Sequence, residues 1–202
     1  MIHGLRPTDS EPDTTFDLPR IENAVREILL GIGEDPDREG LLDTPRRVAK
    51  AYAELFGGVS QSPASHLQRQ FPQDGNDPVM LSDIPFTSMC EHHLLPFTGV
   101  AHVAYQPQND RVVGLSKLAR TVQILARRPQ QQERLTRQIR QAIEEHLQPS
   151  AVLVMVEATH SCMQLRGVKA CGALMRTRSA GGRWEEDGAT RREIQDLMTG
   201  RS

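Results

Sequence analysis

Cysteine and histidine residues recur at two distant places in the chain, with spacings that suit a metal ion. Cys90 and His93 stand three residues apart at the end of an expected strand, so one turn of chain can point a thiol and an imidazole at the same ion. His160 and Cys162 follow a second apolar run, and alternation along an extended segment would place both on one side. We therefore expect two pairs of metal-ligand residue types at strand ends.

A catalytic zinc site is one interpretation of these pairs. Zinc bound by Cys90, His93 and Cys162 would keep its fourth tetrahedral position open to water, and His92 and His160 would remain free for proton transfer. The other interpretation is structural, because free cysteine is among the most buried residue types and isolated histidines are common in cores and on surfaces. Spacing alone leaves both interpretations open.

The composition restricts the class of protein. The 202 residues are 38% hydrophobic, which is enough for one buried domain with appendages. Lys and Arg number 24 against 26 Asp and Glu, and the net charge of −2 gives no general attraction for nucleic acid or an acidic membrane surface. An odd set of three cysteines does not suggest a disulfide framework, and Cys171 is interpreted as a bystander thiol.

The chain carries no recognisable targeting signal. Its first residues lack the apolar core of a secretory signal, and no apolar run reaches the length needed to cross a bilayer. We therefore expect a soluble, cytoplasmic protein that has no nucleic-acid or membrane partner.

The elements that must position the candidate ligands begin with two predicted helices. Residues 1–18 are polar and rich in proline, which predicts a flexible tail. An apolar stripe predicts a helix from Pro19 to Gly31, and Thr44 as N-cap followed by Pro45 predicts a second helix that ends at Gly57. These two helices define an N-terminal helical region at residues 19–58, followed by a catalytic domain at residues 59–202.

The catalytic domain is predicted to be α+β, because its apolar patterning alternates between extended and helical periods. The order is strand, strand, helix, helix, strand, strand, with a short helix at the end. The predicted strands span residues 79–89, 97–106, 151–156 and 173–179, and the predicted helices span 116–127, 130–147 and 191–198.

Five separated blocks of the sequence resemble the GTP cyclohydrolase I family. They are EDPDREGLLDTPRRVAKAY, SMCEHHLLPFTGVAHVAYQP, VVGLSKLAR, RRPQQQERLT and EATHSCMQLRGV. The likeness as a whole runs from about residue 20 to about residue 180. The resemblance implies the tunnelling fold, an antiparallel ββααββ unit with N-terminal helices that assembles into β-barrels. It also implies a homo-oligomer, usually a decamer, whose active sites are shared between subunits.

The resemblance implies a reaction as well. It is the zinc-dependent hydrolysis of the GTP imidazole ring at C8, with release of formate, rearrangement of the ribose and closure to 7,8-dihydroneopterin triphosphate in pterin and folate biosynthesis. By similarity, Cys90, His93 and Cys162 hold Zn²⁺, His160 activates water and shuttles protons, and His92 protonates the substrate. The alternative for each histidine is that it only packs or orients a ligand.

The substrate-binding residues are also implied by similarity. A carboxylate at Glu133, beside Gln132, can accept hydrogen bonds from N1 and N2 of guanine; its alternative is an exposed glutamate favoured by a helix dipole. Ser116 is placed near the ribose, although it could be only an N-cap, and Lys50 could be a solvated charge. The basic residues expected to bind the triphosphate are Lys117, Arg120, Arg166 and Lys50.

Two other functions remain to be weighed. One is another enzyme of the same fold, serving deazapurine biosynthesis, such as a deazaguanine nitrile reductase with a nucleophilic cysteine and a nicotinamide cofactor. The segments 164–165 and 169–171 depart from the family pattern and leave room for altered substrate preference. The other is a non-catalytic, zinc-stabilised assembly protein. The paired histidines and the second ligand cysteine favour a metal enzyme over the reductase.

Overall fold

The computed structural model describes residues 16–108 and 110–200. Most of the predicted tail, residues 1–18, therefore lies outside the described part of the chain. The chain divides into two compact units between Ala53 and Glu54. This division falls slightly before the predicted boundary after residue 58.

The first unit contains the two predicted helices, α1 (Leu18–Gly31) and most of α2 (Thr44–Leu55). The Asp17 side chain caps α1 by accepting a hydrogen bond from the Arg20 backbone N–H at 3.0 Å. Thr44 is the first residue of α2, so this helix begins one residue earlier than predicted. Both helices are thus confirmed by the structure.

The strands of the second unit are β1 (Gln70–Pro72), β2 (Val79–Cys90), β3 (Pro96–Gln106), β4 (Arg111–Val113), β5 (Pro129–Gln130), β6 (Ala151–His160) and β7 (Met175–Gly182). The unit is built on a five-stranded sheet in the order β5-β2-β3-β6-β7. Neighbouring strands in this sheet are antiparallel except for β2 and β5, which pair in parallel. A two-stranded antiparallel ladder, β1 with β4, lies outside it.

Helices cover both faces of this sheet. The helices of this unit are α3 (Ala64–Leu67), α4 (Leu115–Ala126), α5 (Gln132–Leu147), α6 (Ser161–Gln164), α7 (Arg183–Glu186) and α8 (Gly188–Thr199). The long helices α4 and α5 bury the main core, where Val103, Leu118, Leu135 and Val154 are fully buried. The C-terminal helices bury a smaller core around Trp184. Because β6 is covered on both faces, its residues 151–156 form a continuous buried apolar run without alternation.

The prediction that the chain stays extended from His160 to Cys162 is wrong. Strand β6 ends at His160, and the next four residues form the helical turn α6, closed by the Leu165 N–H donating to the Ser161 carbonyl at 2.9 Å. The pairing of β6 with β3 stops at His160, because His160 pairs with Phe97 and β3 begins one residue earlier, at a proline. The backbone therefore satisfies its hydrogen bonds locally, and Cys162 reaches the site from a helical turn.

The predicted strands and long helices are otherwise confirmed, with ends displaced by a few residues. Within the described residues, no helix has the length and apolar character needed to cross a membrane.

Candidate metal centre and active-site cavity

A tight turn at the end of β2 presents the first two candidate metal ligands. The Cys90 N–H donates to the Leu95 carbonyl at 2.8 Å, and the Leu94 N–H donates back to the Cys90 carbonyl at 2.8 Å. Leu94 has a φ of 51°, the left-handed conformation that reverses the chain. We call residues 90–95 the ligand turn. It buries Cys90 at its base and leaves His93 exposed.

Cys90, His93 and Cys162 are brought together as the sequence predicts. One candidate ligand atom from each lies within 4.8 Å of the others, and the Cys90 Sγ to His93 Nδ1 distance is 3.8 Å. Tetrahedral zinc, with bonds of about 2.3 Å to sulfur and about 2.1 Å to nitrogen, separates its donors by roughly 3.6 Å. Two thiols and an imidazole are also the donor types that zinc prefers. The three residues therefore fit zinc.

Cys90 lies close enough to Cys162 to affect the ionisation of its thiol. Burial, followed by the hydrogen bond and charge of Cys90, raises the pKa of Cys162 above its ordinary value. Two neighbouring thiolates repel each other, so both are ionised only when positive charge neutralises them. A divalent cation bound at these sulfur atoms would provide that charge.

A cavity of about 440 Å³ adjoins the metal donors. The cavity is lined by both candidate cysteine ligands, two histidines, one carboxylate and several apolar side chains. Its lining residues are Cys90, His92, Gln130, Gln131, Gln132, Glu133, His160, Cys162, Met163, Ala173, Leu174 and Met175. Half of the candidate residues thus share one cavity.

His160 is held in a single orientation at this cavity. Its ring stacks on Phe97 with 4.5 Å between centroids and 4° between the planes. Its Nε2 lies 2.8 Å from Oε1 of Gln132. Burial lowers the pKa of His160 below its ordinary value, and the nearby Glu133 carboxylate partly opposes that shift. The neutral imidazole is therefore favoured.

Gln132 fixes which ring nitrogen of His160 carries the proton. Its Nε2 donates to the carbonyls of Val156 at 3.0 Å and Met175 at 3.1 Å, and these groups can only accept. Its Oε1 must then face His160 and accept from the ring Nε2–H, which leaves Nδ1 as the basic atom of the neutral ring. Gln132 is only 1% exposed, and its amide is fully engaged in these contacts.

The other predicted site residues occupy varied positions. His92 is exposed, with its Nε2 3.2 Å from Nε2 of Gln131. Glu133 is exposed in the first turn of α5 and lines the cavity. Arg166 places a guanidinium nitrogen 3.1 Å from Nε2 of His93. Lys50 is exposed on α2.

Ser116, Lys117 and Arg120 lie in the first turns of α4, as predicted, but they are not among the residues that line the cavity. The interpretation of Ser116 as an N-cap is wrong, because Gly114 occupies that position and no side chain caps the helix. The chain enters α4 from an extended conformation at Gly114, with φ −61° and ψ 135°.

Sequence reasoning missed the residues that support the site from behind, namely Phe97, Gln130, Gln131 and Arg134. Three of them lie in the block RRPQQQERLT, so their proximity to Gln132 was the available signal. The site partners of Phe97, Gln131 and Arg134 lie far away in sequence, and no local spacing indicates such pairs.

Comparison with known proteins establishes the family of this chain. A sequence model of the family described as GTP cyclohydrolase I matches residues 21–199. The chain belongs to the GTP cyclohydrolase I family. Together with the observed order of strands and helices, this membership confirms the predicted α+β tunnelling fold.

Individual relatives cover nearly the whole chain. GTP cyclohydrolase 1 of Bacillus mycoides (strain KBAB4) is 57% identical over 181 residues, covering 90% of this chain and 96% of that protein. GTP cyclohydrolase 1 of Bacillus anthracis (strain CDC 684 / NRRL 3495) matches with the same identity and coverage. The crystal structure of the archaeosine synthase QueF-Like in the apo form aligns at a TM-score of 0.45 and 16% identity, covering 54% of this chain and 97% of that chain.

Proposed function

We propose that this chain is a GTP cyclohydrolase I that opens the imidazole ring of GTP at C8, releases formate and forms 7,8-dihydroneopterin triphosphate. Family membership supports this activity. The observation that carries the proposal is the group of Cys90, His93 and Cys162 beside a cavity that also holds His160 and Glu133. One site thereby combines residues that can hold a metal, a general base, and a carboxylate that can accept hydrogen bonds from guanine.

Cys90, His93 and Cys162 would hold the metal, and zinc suits this donor set. Bound zinc supplies Lewis acidity, which activates water for attack on the guanine ring. The buried position of Cys90 and the turn that fixes His93 keep these donors in place before the substrate arrives.

His160 takes the proton of the attacking water. Its neutral ring is favoured by burial, and Nδ1 is the atom that accepts, because Gln132 keeps the proton on Nε2. Gln132 therefore supports the base. This role explains its burial better than direct contact with the substrate does. His92, which is exposed at the cavity rim, donates a proton to the guanine ring as charge develops there.

Glu133 selects guanine over adenine. Its carboxylate accepts from the N1–H and the exocyclic amine of guanine, whereas adenine has no N1–H to donate. The carboxylate is exposed to the cavity and belongs to the first turn of α5.

The triphosphate and ribose would be bound across a subunit boundary. Lys117, Arg120 and Ser116 do not line the cavity of their own chain, so a neighbouring copy is the source that we propose for them. Within the described residues, β7 pairs only with β6, and β2 pairs beyond β3 only at its last two residues. Such open edges favour closure with further copies, as in a decamer. Arg166 and Lys50 complete the proposed basic set.

The activity is tested by incubating the purified protein with GTP. We expect one formate per GTP consumed and, after oxidation, a fluorescent pterin. With ATP, we expect neither product, because Glu133 finds no matching donors. Consumption of GTP without formate, or equal turnover of ATP, would contradict the proposal.

A further inference from the structure

A second set of contacts connects the ligand turn to α5. Glu91, between the ligands of this turn, forms an ion pair with Arg134 on α5. The Arg134 guanidinium also donates to the Pro129 carbonyl at 3.0 Å and to Oε1 of Gln130 at 2.9 Å. The Glu91 backbone N–H donates to the Gln130 carbonyl at 3.0 Å. The turn is therefore tied to β5 through its backbone and to α5 through a side chain.

The anchor of this connection is rigid. Gln130 is 2% exposed, and its amide donates to the Leu125 carbonyl at 2.9 Å and to Gln138 at 2.8 Å. Arg134 is thus held by a buried side chain as well as by its carboxylate partner. An isolated surface ion pair contributes little, but this pair is only 31% and 26% exposed and belongs to a network.

This connection joins the two chain segments that form the proposed site. The ligand turn carries Cys90 and His93, whereas the start of α5 carries Gln132 and Glu133. Glu91 itself is not part of the metal-ligand group, because its carboxylate is turned towards Arg134. Its position in the turn requires another explanation.

We propose that Arg134 is a positioning residue for the zinc site, acting through its ion pair with Glu91 to hold the ligand turn in register with α5. This inference rests on the proposed function only in taking zinc as the metal. Residues that orient metal ligands from outside typically change metal affinity by about 10- to 100-fold when replaced.

The test measures the zinc dissociation constant of the full-length protein by competition with a chelator. For Arg134→Ala we expect zinc binding to weaken by about 10- to 100-fold. Arg134→Lys should restore part of this loss. Glu91→Gln, which keeps the shape of the side chain, should weaken zinc binding in the same direction. The double variant Glu91→Gln with Arg134→Ala should bind zinc no more weakly than the weaker of the two single variants, because both changes remove one interaction.

The matched control is Arg140→Ala. Arg140 lies on the same helix and pairs with Glu144 at similar exposure, but it contacts Ser179 of β7 instead of the ligand turn. We expect unchanged zinc affinity in this control. Thermal unfolding of the metal-free variants separates general destabilisation from the zinc effect. At saturating zinc, Arg134→Ala should regain most of its kcat with little change in KM for GTP.

An unchanged zinc dissociation constant in Arg134→Ala would overturn the inference. Equal weakening in Arg140→Ala, or additive losses in the double variant, would do the same. These results are independent of the proposed activity, since an unmodified protein that binds zinc but leaves GTP intact contradicts only the proposed function.

Discussion

Replacing Cys162 with alanine is expected to remove zinc and activity together. Zinc sites with four donors bind with an apparent free energy of about 10–16 kcal/mol, so one donor contributes roughly 3–4 kcal/mol, or about 10²- to 10³-fold in affinity. Cys162 supplies one of the two sulfur atoms in the candidate metal-ligand group found among the described residues. Metal content after gel filtration and the rate of formate release both report the loss.

The matched control for this variant is Cys171→Ala. Cys171 is exposed and lies outside the metal-ligand group. We expect full zinc content and full turnover in this control. If Cys162→Ala keeps equimolar zinc and normal turnover, the ligand set is wrong.

Replacing Glu133 with alanine is expected to weaken GTP binding while zinc is retained. Hydrogen bonds to a charged group contribute about 1.5–3 kcal/mol each, so the loss of two lowers kcat/KM by roughly 10²- to 10⁴-fold. Glu133 lines the cavity but is not in the metal-ligand group, so the metal should stay in place. Steady-state kinetics with GTP and metal analysis of the same preparation provide the two readouts.

Glu145→Ala serves as the control for Glu133. Glu145 is also exposed on α5, but it lies near the opposite end of the helix. It should change neither KM nor zinc content, because it removes the same charge without approaching the cavity. An unchanged KM in Glu133→Ala would remove Glu133 from guanine recognition.

The main elements could be predicted from the sequence because their signals are local. The stripe that gives α5 its buried face, including Leu135 and Ile139, follows the period of a helix. The β-branched, apolar run at residues 151–156 predicts the strand that the structure shows as β6. The ligands Cys90, His93 and Cys162 were identified by combining spacing with family resemblance, and the structure brings them together.

The features that the sequence did not predict correctly depend on contacts with distant parts of the chain. The turn after His160 forms where the neighbouring strands end, which no property of residues 160–162 reveals. Gln132 and His160 are separated by 28 residues, and Glu91 and Arg134 by 43. Apolar periodicity reports which face of an element is buried, but it does not report which polar groups meet across the core.

The most direct test of the central claim compares metal-free and zinc-restored protein in the release of formate from GTP. The three-donor site predicts that the metal-free protein releases no formate above background, and that activity returns in proportion to added zinc up to one ion per chain. Thermal unfolding should show that the metal-free protein is still folded at the assay temperature. Equal formate release by the metal-free and zinc-restored proteins would contradict the account.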